Sequence, residues 1–399
     1  MAGDVCPLAS YIVERVVIVG ASLAGVRTAS ALRREGFTGN ITLIGDEPHR
    51  PYDRPPLSKQ VLQGKWGDDK TLLLTVEQTE ELNAEWILGD AAQHLDVASR
   101  SVHTASGREV KGTSIVIATG TRARRLPLSA DNDVFAMRTL DDARRLVAAC
   151  DALPAHATVA VIGGGFIGAE VATALHAREL RPIVIEAQVR PLQGILGDVV
   201  ATWLEGLPEA AGIELRVQQQ VNDVVRHKNG FLITTPHDAL EADLVVVGVG
   251  AVPNIEWLHD SGLNLQRGLV VDEFLEAAPG VWGAGDVAVF PYHSAGESDF
   301  VRIEHWQIAN DHASYVARSI VAGSDQPFRT VPYFWSDQYG KKIQMLGHPR
   351  PSDEVELVSG SPHEGKWLAH YRRHGAVTGV VALNNARELM LSRPLLESV

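Results

Sequence analysis

Twice in 399 residues the chain writes the same local plan: an apolar strand, a glycine turn and a helix. In the first copy, Glu14 to Gly36, the run Val16-Val17-Ile18-Val19 leads into Gly20-Ala21-Ser22-Leu23-Ala24-Gly25. Val26 to Arg34 follows at helical spacing. In the second, Thr158 to Glu179, Val159-Ala160-Val161-Ile162 leads into Gly163-Gly164-Gly165-Phe166-Ile167-Gly168, and Ala169 to Arg178 reads as helix. A strand that feeds a helix through glycines lets the backbone approach a pyrophosphate, whose charge then rests on the unpaired N–H groups of the helix N-terminus.

The second copy has the full G-x-G-x-x-G spacing, and its next strand, Pro182 to Ile185, ends in Glu186. A carboxylate there accepts hydrogen bonds from a ribose 2′-hydroxyl and repels a 2′-phosphate, so NADH is expected rather than NADPH. Arg190, four residues on, works against that preference. The first copy departs from the pattern, with Ser22 at the middle glycine; its hydroxyl is small and able to donate to phosphate. Its acidic partner is Asp46 or Glu47, after the strand Ile41 to Ile44. One glycine turn alone is often an ordinary strand-to-helix connection. Two, each with an acidic strand end, point to two dinucleotides and a relay from nicotinamide to a bound flavin.

The rest of the chain suits this plan. Ser114 to Ala118 reads as a buried strand ending in Thr119-Gly120, and Leu244 to Val249 as another running into Gly250. Gly280 to Val287 reads as a short strand, a glycine turn and an Asp, Asp286, before a helix. With 45% hydrophobic residues the chain can bury two or three cores. Its 36 Lys and Arg against 49 Asp and Glu leave a net charge of −13 with no dense basic run, which argues against nucleic acid. Cys6 and Cys150 are too isolated for a disulfide framework or a cysteine metal site, and the usage fits a reducing cytoplasm. The N-terminal apolar run, Val5 to Val13, is short, and no stretch is long enough for a bilayer, so neither export nor a membrane is expected. The histidines are expected to form no metal cluster with acids.

Three further segments carry a resemblance: Arg50-Pro51-Tyr52-Asp53-Arg54-Pro55-Pro56-Leu57-Ser58-Lys59, Arg138-Thr139-Leu140-Asp141-Asp142-Ala143, and Val331-Pro332-Tyr333-Phe334-Trp335-Ser336-Asp337-Gln338. In this order, with both glycine turns, the chain resembles over nearly its whole length the FAD-dependent ferredoxin reductases of Rieske oxygenase and cytochrome monooxygenase systems. These are of the putidaredoxin reductase type, within the pyridine nucleotide-disulfide oxidoreductase superfamily. The resemblance implies an α/β fold with two Rossmann-like, glutathione-reductase-like nucleotide-binding domains and a C-terminal α+β domain. It divides the chain into a flavin domain, 1–121 with 251–318, a nicotinamide domain, 122–250, and a C-terminal interface domain, 319–399. It implies that Arg54 and Lys59 lie along the flavin, with the Lys59 ammonium near the reactive nitrogen. Asp286 is implied to meet the ribityl or pyrophosphate region, and Glu170 to sit near the nicotinamide and Lys59. Ala92, Thr119, Gly120, Arg138, Gly285 and Trp306 are implied to complete the FAD contacts, and Gly250 the NAD contacts. Otherwise Lys59 reads as a solvated surface lysine and Glu170 as a carboxylate favoured by the helix dipole.

Disulfide reductases of this architecture carry a cysteine pair beside the flavin, and a related branch carries a single redox cysteine. Here the stretch is Leu57-Ser58-Lys59-Gln60. Electrons must therefore leave the flavin directly, which suits a one-electron [2Fe–2S] ferredoxin. Trp335 and Trp306 are candidates to cover the flavin edge toward that partner, with core packing as their default role. Such partners are usually acidic, so docking calls for local cations: Arg122, Arg124 and Arg125, or Arg302, Arg329, Lys341 and Lys342. Two other readings share the motifs: a reductase of quinone, monodehydroascorbate or oxygen, and an apoptosis-inducing-factor-like interaction flavoprotein. Beyond Ser319 the strands Ile343 to Leu346, Val355 to Val358, Trp367 to Tyr371 and Val377 to Leu383 precede a helix, Ala386 to Leu391.

Overall fold

The computed structural model describes residues 13–397; Cys6 and all of the N-terminal apolar run but Val13 lie outside them. Val16 to Val19 are buried, as are Ile115 to Ile117, which is what central strands covered on both faces require. They sit in a six-stranded sheet ordered Glu276–Ala278, Val281–Gly283, Ser114–Ile117, Arg15–Val19, Asn40–Gly45, Glu85–Leu88, parallel except for its first pair. A second, wholly parallel sheet runs Glu214–Arg216, Arg181–Ile185, Thr158–Ile162, Leu244–Val247, Phe135–Ala136. Both are doubly wound sheets whose strand order reverses beside the strand that precedes each glycine turn. That reversal opens a crevice at the carboxyl ends of the strands. Thr121–Ala123 pairs antiparallel with Ala251–Pro253, so the chain enters and leaves the second sheet through one two-stranded neck.

Helices Leu23–Arg34 and Trp306–Ala322 pack together on the first sheet through Val26, Ala29, Ile308 and Val316. The C-terminal region is a five-stranded antiparallel sheet, ordered Tyr333–Gln338, Lys341–Gly347, Ala376–Leu383, Lys366–Arg373, Glu354–Ser361, with helix Ala386–Leu391 after it. Its edge strand Tyr333–Gln338, not read as a strand from the sequence, lies against helix Phe166–His176.

Two local expectations change. Each glycine turn ends sooner than its sequence suggests, because the helices begin at Leu23 and Phe166. Asp286 does not precede a helix: Gly285–Val287 is one tight helical turn that runs directly into strand Ala288–Ser294. Among the described residues no helix is long and apolar enough to cross a membrane.

Candidate active site

One cleft, with a volume of about 1330 Å³, is lined by both glycine turns, both acidic strand ends and the C-terminal edge strand. On one side it takes in Gly20, Ser22, Leu23, Ala24, Asp46, Glu47, Arg54, Lys59, Ala92, Thr119, Gly120, Arg138, Gly285, Asp286 and Trp306. On the other stand Gly163, Gly165, Phe166, Ile167, Glu170, Glu186 and Gly250, with Trp335 at the junction. Gly25 and Gly168 do not line it. They lie beneath, where a Cβ would come within 1.8 Å of the Gly20 carbonyl oxygen and 2.0 Å of the Gly163 carbonyl oxygen. They are the glycines that let helix and strand pack closely.

The cradles fit two dinucleotides. Gly20 and Gly163 hold φ at +119° and +105°, a left-handed conformation that other residues rarely adopt, and a Cβ on either would come within 2.1 Å of the Ala118 carbonyl oxygen or 2.5 Å of the Gly248 carbonyl oxygen. Gly165 differs: a Cβ there would meet no atom within 4 Å, so protein packing does not explain this glycine, whereas room for a pyrophosphate does. Ser22 is the residue before its helix, yet its hydroxyl makes no capping bond and remains available in the cleft.

On the first side, the Arg54 guanidinium donates to Glu47 Oε1 at 2.7 Å and to the Arg138 carbonyl at 2.7 Å, while the Tyr52 hydroxyl donates to Glu47 Oε2 at 2.5 Å. Arg138 in turn pairs with Asp286 at 2.9 Å. Asp53, which the sequence reading assigned no role, accepts from the Trp306 indole N–H at 2.9 Å and fixes that ring in the wall. Burial pushes the Asp53 carboxyl above its usual range, against the lowering pull of that indole bond and of the Arg27 charge. Trp306 meets Trp335 edge-on at 6.3 Å, and Trp335 stacks on Tyr333 at 5.9 Å.

At the junction the Lys59 ammonium stands 2.8 Å from Glu170 Oε1, with the side chains 12% and 4% exposed. Lys59 is therefore not a solvated surface lysine. Its segment, Leu57–Val61, is a single wide helical turn in which the Val61 and Leu62 amides reach back five residues, to Pro56 and Leu57. Such turns recur at functional sites. This one brings the neighbours Ser58 and Lys59 to the same carboxylate, since the Ser58 hydroxyl donates to Glu170 Oε2 at 2.7 Å. A second hydroxyl, from Ser336, donates to Glu170 Oε1 at 2.7 Å. Neither serine was singled out from sequence; both sit inside motifs noted for other residues.

At the far end Glu186 accepts from the Gly164 and Gln188 amides, each at 2.8 Å. Arg190 is turned away from the cleft lining and pairs with Glu205 at 2.6 Å.

The family model described as pyridine nucleotide-disulphide oxidoreductase matches residues 14–313. The chain belongs to this family. A second model, described as reductase C-terminal, matches residues 333–399. Among curated proteins, this member of the family is 33% identical over 389 residues to a rhodocoxin reductase of Rhodococcus erythropolis, covering 96% of this chain and 89% of that one. It is 32% identical over 386 residues to the ferredoxin–NAD(+) reductase component of a p-cumate 2,3-dioxygenase system of Pseudomonas putida, with 96% and 92% covered. Among solved structures it matches the reductase in a covalent putidaredoxin reductase–putidaredoxin complex with a TM-score of 0.90 and 30% identity, over 96% and 93% of the two chains. Membership implies FAD and a nicotinamide dinucleotide, which the two cradles fit.

The cations expected to greet an acidic partner are largely neutralised within the chain. Arg122 pairs with Glu256, Arg125 with Asp131, Arg302 with Glu304 and Lys342 with Asp337, all within 3.6 Å. Arg124, Arg329 and Lys341 have no carboxylate partner among the described residues. Contrary to expectation, the sequence does contain one H-x3-H spacing, His370 to His374. It ends a β-strand rather than lying on a helix; His370 is buried while His374 reaches Glu297 at 3.2 Å.

Proposed function

We propose that the chain passes electrons from NADH, through bound FAD, one at a time to a [2Fe–2S] ferredoxin that feeds an oxygenase. The observation that carries the reading is the buried Lys59–Glu170 pair between two dinucleotide cradles, in a segment without cysteine. Bound FAD supplies the step from a two-electron donor to a one-electron acceptor. The chain's own residues bind, orient and wall. Ser22 and the amides that open helix Leu23–Arg34 suit one pyrophosphate, and those that open Phe166–His176 suit the other. Lys59, its side chain only 12% exposed, would set a positive charge toward the flavin ring, and burial strengthens such a charge's effect. Trp306 and Trp335 wall the edge toward the partner, with Asp53 fixing the first.

A thiol route finds no support among the described residues. Cys150 is a buried core residue of helix Leu140–Asp151, outside the cleft lining, and burial pushes its thiol up to about 11. Names of the relatives agree with the proposal: a dioxygenase-system ferredoxin reductase component, and a putidaredoxin reductase solved with its putidaredoxin. The division into a flavin domain of 1–121 and 251–318, a nicotinamide domain of 122–250 and a C-terminal domain of 319–399 belongs to the same proposal, as does a cytoplasmic location.

The test is steady-state NADH oxidation with a [2Fe–2S] ferredoxin coupled to cytochrome c, against quinone, ferricyanide and oxygen alone. Fast turnover that depends on the ferredoxin is expected. Indifference to ferredoxin with fast quinone or oxygen reduction replaces the proposal with a small-molecule reductase, and slow turnover with every acceptor replaces it with an interaction flavoprotein. In stopped flow, Lys59→Ala and Glu170→Ala are expected to slow flavin reduction while FAD stays bound.

A further inference from the structure

The edge strand Tyr333–Gln338 runs along one face of helix Phe166–His176. Phe334 meets Phe166 with ring centroids 4.4 Å apart, Ser336 donates to Glu170, and the Tyr339 amide donates to Thr173 Oγ1 at 2.8 Å. Positions 334 and 336 share a strand face, and positions 166, 170 and 173 share a helix face, so the two periods interlock. Trp335, on the strand's other face, stacks with Tyr333 instead.

Ser336 is fully buried, and its hydroxyl has only one proton to give. Gln338, also buried, directs it: the Gln338 side-chain amide donates to Ser336 Oγ at 3.3 Å, which leaves that oxygen donating onward to Glu170 Oε1. The same carboxylate oxygen faces Lys59. A directional chain, Gln338 to Ser336 to Glu170, thus reaches the lysine from outside both nucleotide-binding sheets.

Resting on the reading of Lys59 and Glu170 given above, we propose that Ser336, oriented by Gln338, is a positioning residue for the transfer from NADH to flavin. The C-terminal sheet would then take part in the first half of the reaction as well as in meeting the partner. With its hydroxyl in place, Glu170 Oε1 is held by a fixed neutral donor as well as by Lys59; without it that oxygen is left to the lysine alone, the carboxylate turns about its Ser58 bond, and the lysine shifts with it.

The test uses the FAD-loaded full chain and compares Ser336→Ala, Ser336→Thr and the nearly isosteric Gln338→Met with Glu170→Ala. Losing one charge-assisted bond at the reacting centre is expected to slow flavin reduction at saturating NADH about tenfold in Ser336→Ala. The dissociation constant for NADH should change less than about twofold, since the contact is made to Glu170 and not to the nucleotide. The flavin midpoint potential should move to more negative values as the lysine charge shifts away. Ser336→Thr should restore both, and Gln338→Met should shift both in the direction of Ser336→Ala. A Ser336→Ala protein that melts lower but keeps the wild-type reduction rate and potential overturns the proposal, as does a wild-type Gln338→Met in both. If Glu170→Ala itself reduces at the wild-type rate, the reading of the pair falls first and the proposal with it.

Discussion

Replacing Glu186 by Ala should change which nicotinamide dinucleotide the protein prefers. The carboxylate already accepts two backbone amides, from Gly164 and Gln188. Ribose hydroxyls must therefore add to those bonds or replace them, and only part of a full charge-assisted bond is at stake. Taking about 2 kcal/mol for that part, NADH should lose roughly 30-fold in kcat/KM. For NADPH the sign reverses. A carboxylate some 4 Å from a phosphate costs up to about 4 kcal/mol per unit charge near a protein surface, and salt reduces this to about 1–2 kcal/mol for a half-exposed group. Relief should raise NADPH turnover about tenfold, so the ratio moves by about 300-fold. Arg190 contributes little in the single variant, because Glu205 holds it at 2.6 Å. Adding Glu205→Gln leaves it only the exposed Asp198, 3.9 Å away, and NADPH should gain again. The assay is kcat/KM for both nucleotides with ferricyanide as acceptor, alongside melting temperature as a control for the two uncapped amides. A ratio that moves less than about threefold, or a parallel fall for both nucleotides, refutes the reasoning.

Gly25→Ala should abolish FAD retention, read from the flavin-to-protein absorbance ratio, because its Cβ would lie 1.8 Å from a backbone oxygen of the flavin-side turn. Gly165→Ala, whose Cβ meets nothing in the chain, should keep FAD and raise only the KM for NADH. Burial lowers His305 to about 4 and His312 to about 3. Between pH 6.5 and 4 the unfolded chain therefore takes protons the folded chain refuses, and stability falls with pH by about 2 kcal/mol per histidine at pH 5. Thermal melts at pH 7.5 and 5 should show this, and His312→Asn should shrink the difference; an unchanged difference counts against the assignment. Finally, with four of the seven candidate cations paired internally, kcat/KM for an acidic ferredoxin should change less than about threefold between low and physiological ionic strength. A tenfold fall would mean that an unneutralised basic face steers docking.

Much of the fold was legible because parallel sheets buried on both faces are written as unbroken apolar runs, and Val16 to Val19 and Leu244 to Val247 are such runs. The helices start three residues earlier than the pattern predicts, at Leu23 and Phe166, for a related reason. Leu23 to Gly25 and Phe166 to Gly168 look like turn, yet they are the first helical residues, whose unpaired amides suit phosphate. The strand Tyr333–Gln338 was obscured by its aromatic and polar make-up, which reflects an edge strand turned toward a cleft and a helix. The serines on Glu170 leave no local pattern, since their partner is 112 and 166 residues away. Even the Lys59–Glu170 pairing came from resemblance and not from spacing.

That pair also bears on why the chain keeps charge in its interior. Removing two ions from water costs several kcal/mol each, and their mutual attraction seldom exceeds that, so well-packed apolar residues would serve stability as well or better. Here the cost is offset by two hydroxyls as well as the ammonium, drawn from segments far apart in sequence. A fold that needed only a seam between its sheets and its C-terminal strand would find it more simply in contacts such as Phe166 with Phe334. An expensive ion pair, its carboxylate held at both oxygens and opening on the cleft between two cradles, is better explained by what its charge does to the molecules that meet there.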